Sequence, residues 1–434
     1  MSPTPTDAAT PDAKALLRHP FAWSLVALGA VLAMTMTFSY LYGFLEPTRR
    51  LQNLPVGIVN LDQSSSFAGT PIHAGDQVVA GATKPAANPG NAVRWHVYRS
   101  QAELVSKIQD LSVYGGFVIP PDFSAQIVSE GTSFGRTPAA HIDVLASSGV
   151  GFYGRSVFDT VSSRLVRETS VAVRSQIVAQ LQQAGVQLAP ASVAVLGTPV
   201  TARVHDLTPI NDHSGRGLAP FYFALMMTLA GYVSTVAISV GIDVLAGHEE
   251  FDVLGRIIRF PEQGITESSR WRAKFAVVMA MAPAAAALMT VMAVDVLGMQ
   301  TSSWFKTFLF AWLGVAAIAS ITLVFLTAFG LIGELLAVIF ITIFGVPSAL
   351  GVFPEYALPG FFRFTASWHP MRYESDGARA IQFFNARGSA GLTTAVIVLF
   401  AWLIGAVVAG GLLAQVVDNL RAKHPRIFGA VKAV

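Results

Sequence analysis

Across 434 residues the chain is 53% hydrophobic and only 13% charged, with a mean hydropathy of +0.54, whereas soluble domains carry about 25% charged residues. Its formal charge of +3 comes from basic residues at the edges of apolar runs, with no arginine-rich or aromatic-laced patch, so nucleic acid is excluded as a partner and the lipid bilayer is implied. The absence of cysteine excludes disulfides, thiolate metal sites and a cysteine nucleophile.

A short segment, 1–20, precedes a first apolar run at 21–45. That run exceeds the roughly 7–15 residues of a signal-peptide core. Glu46-Pro47-Thr48-Arg49-Arg50 follows it instead of a small-residue cleavage site, so the run reads as an uncleaved anchor.

Residues 46–217 shift to the composition of a soluble domain, with thirteen basic and twelve acidic side chains. Alternation and β-branched content predict strands at 56–61, 93–98, 116–119, 141–145 and 200–204. Helices are expected at 101–111, after Ser100 as N-cap, and at 121–129, with Pro121 and Asp122 in its first turn. A long polar helix is expected over 150–184. Within it Val157, Val161 and Leu165 step by four, then Val173, Ile177 and Leu181 do so in a shifted frame, which implies a bend or a change of packing partner. The Gly/Ala/Pro-rich stretch 73–91 reads as a mobile loop. The whole is an α/β domain with a small mixed sheet.

Five further apolar runs follow at 218–242, 275–294, 307–333, 335–354 and 388–417, none containing a charge. A hydrocarbon core about 30 Å thick needs about 20 such residues per helix. The expected fold class is a polytopic α-helical membrane protein of six transmembrane helices, with the α/β domain between the first and second on the extracytoplasmic side. The third- and second-last runs are separated by Glu334 alone, so they form a tight hairpin or one fails to cross fully. If both termini are cytoplasmic, including the basic tail 418–434, eleven Lys and Arg lie inside against five in short outer loops. Asp243, Asp295, Glu334 and Asp418 all fall at the ends of spans.

Two loops of the five-helix part, 218–417, carry pattern. In the inner loop 243–274, residues 249–260 place Phe251, Leu254 and Ile258 on one helical face opposite Glu250, Asp252 and Arg256. The outer segment 352–387 is broken by prolines into short helices rich in aromatics, and is too interrupted to span. There Arg372 or Arg379 is expected to pair with Glu374 or Asp376.

Catalytic patterns are absent: no Gly-x-x-x-x-Gly-Lys-Ser/Thr phosphate loop, Gly-x-Ser-x-Gly or His-Glu-x-x-His occurs. His205 and His213 lack a visible third ligand, so no metal and no cofactor is expected in this chain, and an enzyme is not expected.

Three runs carry a resemblance: Ile58-Val59-Asn60-Leu61-Asp62; Ile119-Pro120-Pro121-Asp122-Phe123-Ser124; and Asn211-Asp212-His213-Ser214-Gly215-Arg216-Gly217-Leu218-Ala219-Pro220-Phe221-Tyr222-Phe223. They resemble the phage-infection-protein (YhgE/Pip) family, grouped with the type-2 ABC transporter permeases. The resemblance implies a membrane permease subunit of an ABC-type exporter, moving an amphiphilic or lipid-like compound outward. It implies a separate ABC ATPase and a homodimer or paired permease. The inner-loop helix would couple to that ATPase through Phe251, Leu254 and Ile258, or else lie on lipid as an interfacial helix. The outer segment would be re-entrant, with Arg363 and Arg372 at an outer gate. The alternative is a non-transporting cell-surface receptor or envelope-assembly scaffold.

Overall fold

The computed structural model describes residues 20–44, 51–67, 70–84, 92–133, 138–183, 199–254, 256–351 and 353–424. The sheet domain runs β1 (Leu54–Asn60), β2 (Ser65–Phe67), β3 (Thr70–Ile72), α2 (Ala74–Thr83), β4 (Val93–Tyr98), α3 (Gln101–Gln109), β5 (Gly115–Ile119), α4 (Phe123–Ser133), β6 (Ala140–Ala146), α5 (Phe152–Gln183) and β7 (Val200–Asp206), after an N-terminal helix α1 (Pro20–Phe44). Its five-stranded sheet has the order β4-β1-β5-β6-β7. β1 pairs in parallel with β4 and β5, β6 runs antiparallel to β5, and β7 is parallel to β6.

β1 is apolar and buried at six of its seven positions because both faces of the sheet are covered. One face packs Leu54, Val56 and Ile58 against Val78 of α2, Ile127 of α4 and Phe158 of α5. The other sets Val59 and Val118 against Leu104 and Ile108 of α3. Ser100 caps α3 by accepting from the Glu103 N–H at 3.2 Å, worth about 1 kcal/mol.

All five expected strands are present, within two residues at each end. Three local readings are corrected. The stretch expected to be a mobile loop contains α2, whose Ala74, Val78 and Ala82 reach the core; 85–91 lie outside the described residues. The long helix α5 is one unbroken element, because Val157, Leu165, Val173 and Ile177 all enter the same core; the Leu181 side chain lies outside the described residues. The segment 249–260 is a hairpin of β8 (Phe251–Val253) and β9 (Arg256–Ile258), with Glu250 and Arg259 paired across it.

Among the described residues, five helices are long and apolar enough to cross a membrane. They are α6 (Ala219–Leu245), α7 (Glu267–Thr290, continued as a π-helix over Val291–Val296), α8 (Trp304–Phe329), α9 (Leu331–Val338, continued as a π-helix over Ile339–Gly345 and a last turn to Ser348) and α12 (Leu392–Lys423). α1 contributes the shorter apolar stretch Val26–Tyr42. Between α9 and α12 lie α10 (Gly360–Ala366) and α11 (Pro370–Phe383).

α8 is the central helix: 72% of its apolar window is buried against protein, compared with 17% for α12. Small residues allow this. A Cβ on Gly231 of α6 would lie 2.9 Å from the Val315 carbonyl, so the two helices touch backbone to backbone. The break after α8 falls at Gly330 (φ 55, ψ −128), not at Glu334, which opens the first turn of α9. A reversal at that φ suits glycine.

At the same end of the bundle two of the acids expected at helix termini, Asp243 and Asp418, join one network with Glu267, Arg270, Lys274 and Arg421. Asp243 takes the Lys274 ammonium at 2.6 Å, Glu267 pairs with Arg270 and Arg421, and Asp418 accepts the Glu267 and Ser268 N–H groups at 2.6 and 3.0 Å. The Asp418 carboxylate thereby caps α7 from α12.

One acid of the sheet domain reports on folding. Glu130 of α4 is 3% exposed, and burial pushes its carboxyl from the ordinary 4.5 up to about 7, partly offset by a hydrogen bond from the Ala140 backbone. The fold therefore favours the protonated form. Its contribution is fully present below pH 4.5 and declines as pH rises through about 7. Melting curves of the full-length protein between pH 4.5 and 8 should fall with pH, and Glu130→Gln should reduce that slope.

Candidate functional site

The sheet domain is seated on the bundle through the segment 353–387, and a cavity lined by charged residues lies at that seat. It has a volume of about 250 Å³ and is lined from the domain by Asp110 and Tyr114, and from that segment by Glu355, Tyr356, Arg372, Asp376 and Arg379. Residues around the short 3-10 turn Glu355–Ala357 reach up into the domain. Tyr356 packs edge-on against Tyr114 at 6.1 Å, Phe353 against Tyr153 at 4.5 Å, and the Gln52 N–H bonds the Tyr356 carbonyl at 3.1 Å. Arg387 and Ser389 hold Asp110 at 3.2 and 2.7 Å.

Helix α11 supplies the floor. Its N-terminus is set by His369, whose Nδ1 accepts from the Met371 N–H at 3.2 Å, with Pro370 suited to the first turn. Three charged residues then line the cavity. Arg372 donates to Glu355 at 2.8 Å and to Asp376 at 3.3 Å, and Arg379 donates to Asp376 at 3.0 Å and to the Leu350 carbonyl at 2.9 Å. Asp376 therefore bridges two guanidiniums, and two carboxylates balance them. Burial pushes the Tyr114 hydroxyl well above its usual range, so it stays a neutral donor.

The opposite face of α11 enters the bundle. Glu374 is fully buried and accepts from Thr228 of α6 at 2.5 Å, with Gly314 of α8 leaving room for its other oxygen. Among the described residues it makes no ion pair. Ala378 and Ile381 join the apolar core of α6, α7, α8 and α12.

Of the residues singled out in the sequence, Arg372 lines the cavity and Arg363 does not; Arg363 donates to the Leu358 carbonyl at 3.1 Å and makes no ion pair among the described residues. The expected pairing of Arg372 and Arg379 is met by Asp376, while Glu374 turns away from both. Leu254 stands wholly exposed at the turn of the β8–β9 hairpin with φ 53, and Ile258 is 39% exposed; the Phe251 side chain lies outside the described residues. This hairpin is remote in sequence from the cavity. Sequence reasoning missed Asp110, Tyr114 and Glu355, which carry no local pattern and meet only through the fold. His205 lies 3.3 Å from Asp143, and among the described residues no three His, Asp or Glu side chains are grouped to hold a metal ion.

The sequence runs that carry the resemblance also acquire a physical role. Asp62, just past β1, accepts from the Gly75 N–H at the start of α2 (3.0 Å), and from the Ser124 N–H and hydroxyl at the start of α4 (2.9 and 2.6 Å). One carboxylate thus clamps two helix N-termini.

These features define a multi-pass helical membrane protein with a mixed-sheet domain. The chain belongs to a family described as a protein of unknown function (DUF3533), whose model matches residues 26–408. No curated protein and no solved structure matches the chain.

The shared role of Asp376 is testable. Arg379 and Asp376 have side chains only 10% and 21% exposed, and removing one partner of a buried pair costs about 3–5 kcal/mol. Asp376→Asn should lower the melting temperature of the purified protein clearly, whereas Arg363→Gln should cost under about 1 kcal/mol.

Proposed function

We propose that this protein is the membrane permease subunit of an ABC-type exporter that moves an amphiphilic or lipid-like compound outward, powered by a separate ATPase. The observation that carries the reading is the double attachment of α11. One face is bonded into the bundle through Glu374 and Thr228, and the other makes the charged seat of the sheet domain through Arg372, Asp376 and Arg379. A displacement of α6 against α8 therefore passes directly to the external domain. In this reading α1 is the sixth span, its exposed Trp23, Met34 and Phe38 facing lipid. Both termini are cytoplasmic in the cell membrane, two copies or a paired permease complete the pathway, and the outer segment is re-entrant. The resemblance to the phage-infection-protein family supports it.

In the expected orientation the β8–β9 hairpin is cytoplasmic and takes the place of the coupling helix. Its bare Leu254 offers an apolar contact to the ATPase, with the paired positions Phe251 and Ile258 in the adjoining strands. A second reading, a cell-surface receptor or envelope scaffold, is favoured by one observation: a polar concavity of about 650 Å³ lies along α5 of the sheet domain, outside the helix bundle.

Purification in mild detergent should bring down an ATPase with the unaltered protein, and Leu254→Asp with Ile258→Asp should release it while membrane insertion persists. Absence of any ATPase from the unaltered protein would favour the receptor reading. Orientation has its own test, made simple by the lack of cysteine. In intact cells a membrane-impermeant thiol reagent should label Gln63→Cys and miss Glu262→Cys, both at exposed positions; the reverse pattern inverts the topology.

A further inference from the structure

Helix α5 carries two adjacent rows of side chains, one mostly exposed and one largely buried, and each borders a concavity. Residues four apart lie one above another on a helix. Arg155, Asp159, Ser163 and Arg167 follow that spacing along a polar groove of about 650 Å³. Tyr153, Val157 and Val161 follow it along a mainly apolar crevice of about 260 Å³, closed on its other side by Trp95 of β4. Ser156 and Thr160 line both. A charged surface and an apolar surface thus meet along a ridge of hydroxyls.

The charge of the groove is open to a ligand. Arg155 is taken by Asp206 at 2.9 Å and Asp159 at 2.8 Å. Arg167 and Arg216 also line the groove, are exposed, and have no acidic partner among the described residues. Arg216 is held in the left-handed region (φ 56, ψ 37) between glycines, a conformation that costs a non-glycine residue about 1–2 kcal/mol. It stands three positions before the first residue of α6, at the foot of the domain where the chain enters the bundle. Arg167, fifteen residues along α5 from Phe152, lies at the far end of the same groove.

We propose that this face of α5 binds an amphiphile with a phosphate head group, the head lying along the groove against Arg216 and Arg167 and the apolar chain against Trp95, Val157 and Val161. Guanidinium groups suit phosphate because their planar fork donates two hydrogen bonds at once. The ridge hydroxyls of Ser156 and Thr160 face the polar link between head and chain. An apolar peptide would leave the arginines unused, and a free anion would leave the crevice unused; an anionic amphiphile uses both. The inference names the ligand class for the export reading and rests on that reading for the purpose of binding, though not for binding itself. Failure of binding removes the site, whereas absence of an ATPase removes only the export reading.

The test uses the full-length protein in phosphatidylcholine nanodiscs, titrated with lysophosphatidylglycerol, lysophosphatidylcholine or glycerol 3-phosphate and followed by thermophoresis. Lysophosphatidylglycerol should bind at least about tenfold more tightly than either of the others. Arg167→Gln with Arg216→Gln should remove that preference without shifting the melting temperature, since both side chains are exposed and have no acidic partner among the described residues. Trp95→Ala should weaken lysophosphatidylglycerol and leave glycerol 3-phosphate unchanged. Equal affinity for the two lysolipids, or an unaltered preference in the double variant, overturns the proposal. Glycerol 3-phosphate binding as tightly as lysophosphatidylglycerol also overturns it, showing a site for free phosphate esters and not for amphiphiles.

Discussion

A backbone carbonyl in an apolar medium must find a donor or cost several kcal/mol, and α9 makes that demand acute. Its π-helical stretch Ile339–Gly345 departs from the regular ladder. Two of its carbonyls are met by side chains from distant segments: the His369 Nε2–H bonds the Phe340 carbonyl at 3.1 Å, and Ser39 of α1 bonds the Ile343 carbonyl at 2.8 Å. Since His369 also accepts at Nδ1 from Met371, its ring must be neutral with the proton on Nε2. Irregularity in one helix is thereby answered by a fixed tautomer and a fixed start for α11.

From that start the rest of this half of the bundle follows. Once His369 sets the first turn of α11, Glu374 meets Thr228 on one side, and Asp376 falls between Arg372 and Arg379 on the other. The charges that face the cavity are held by Glu355, which belongs to the same turn as the Tyr356 that packs on the sheet domain. Apolar packing against Phe310 and Leu399 fixes the inner face. Domain and bundle are joined by a short chain of specific bonds, and each link is a side chain whose orientation the previous link determines.

How much of this could be read from residues alone differed by element. The sheet was legible because β1, β5 and β6 are short apolar runs bounded by turn residues, and the apolar spans were legible by length. The hairpin at β8 and β9 was not: Phe251, Leu254 and Ile258 fit a helical spacing, but Val253, Ile257 and Ile258 also suit strands, and so short a segment satisfies both periods. The pairing of Glu250 with Arg259 decides it, since nine residues apart on a helix they would be about 13.5 Å apart along the axis. Helix α2 was hidden by its small residues, which pack well only because a sheet lies beneath them. The polar seat was illegible for a different reason: Asp110 and Arg387 are separated by 277 positions, and no local pattern links them.

The capping of α7 by Asp418 has a consequence for the order in which the protein is made. The Glu267 and Ser268 N–H groups precede their acceptor by 151 and 150 residues, so they emerge from the ribosome long before α12 exists. Until the last span is synthesised, the start of α7 lacks that partner and α8 lacks one of its packing neighbours. Closure of the bundle at this end is a late event of biogenesis, and a chain shortened before Asp418 would leave the start of α7 permanently without it.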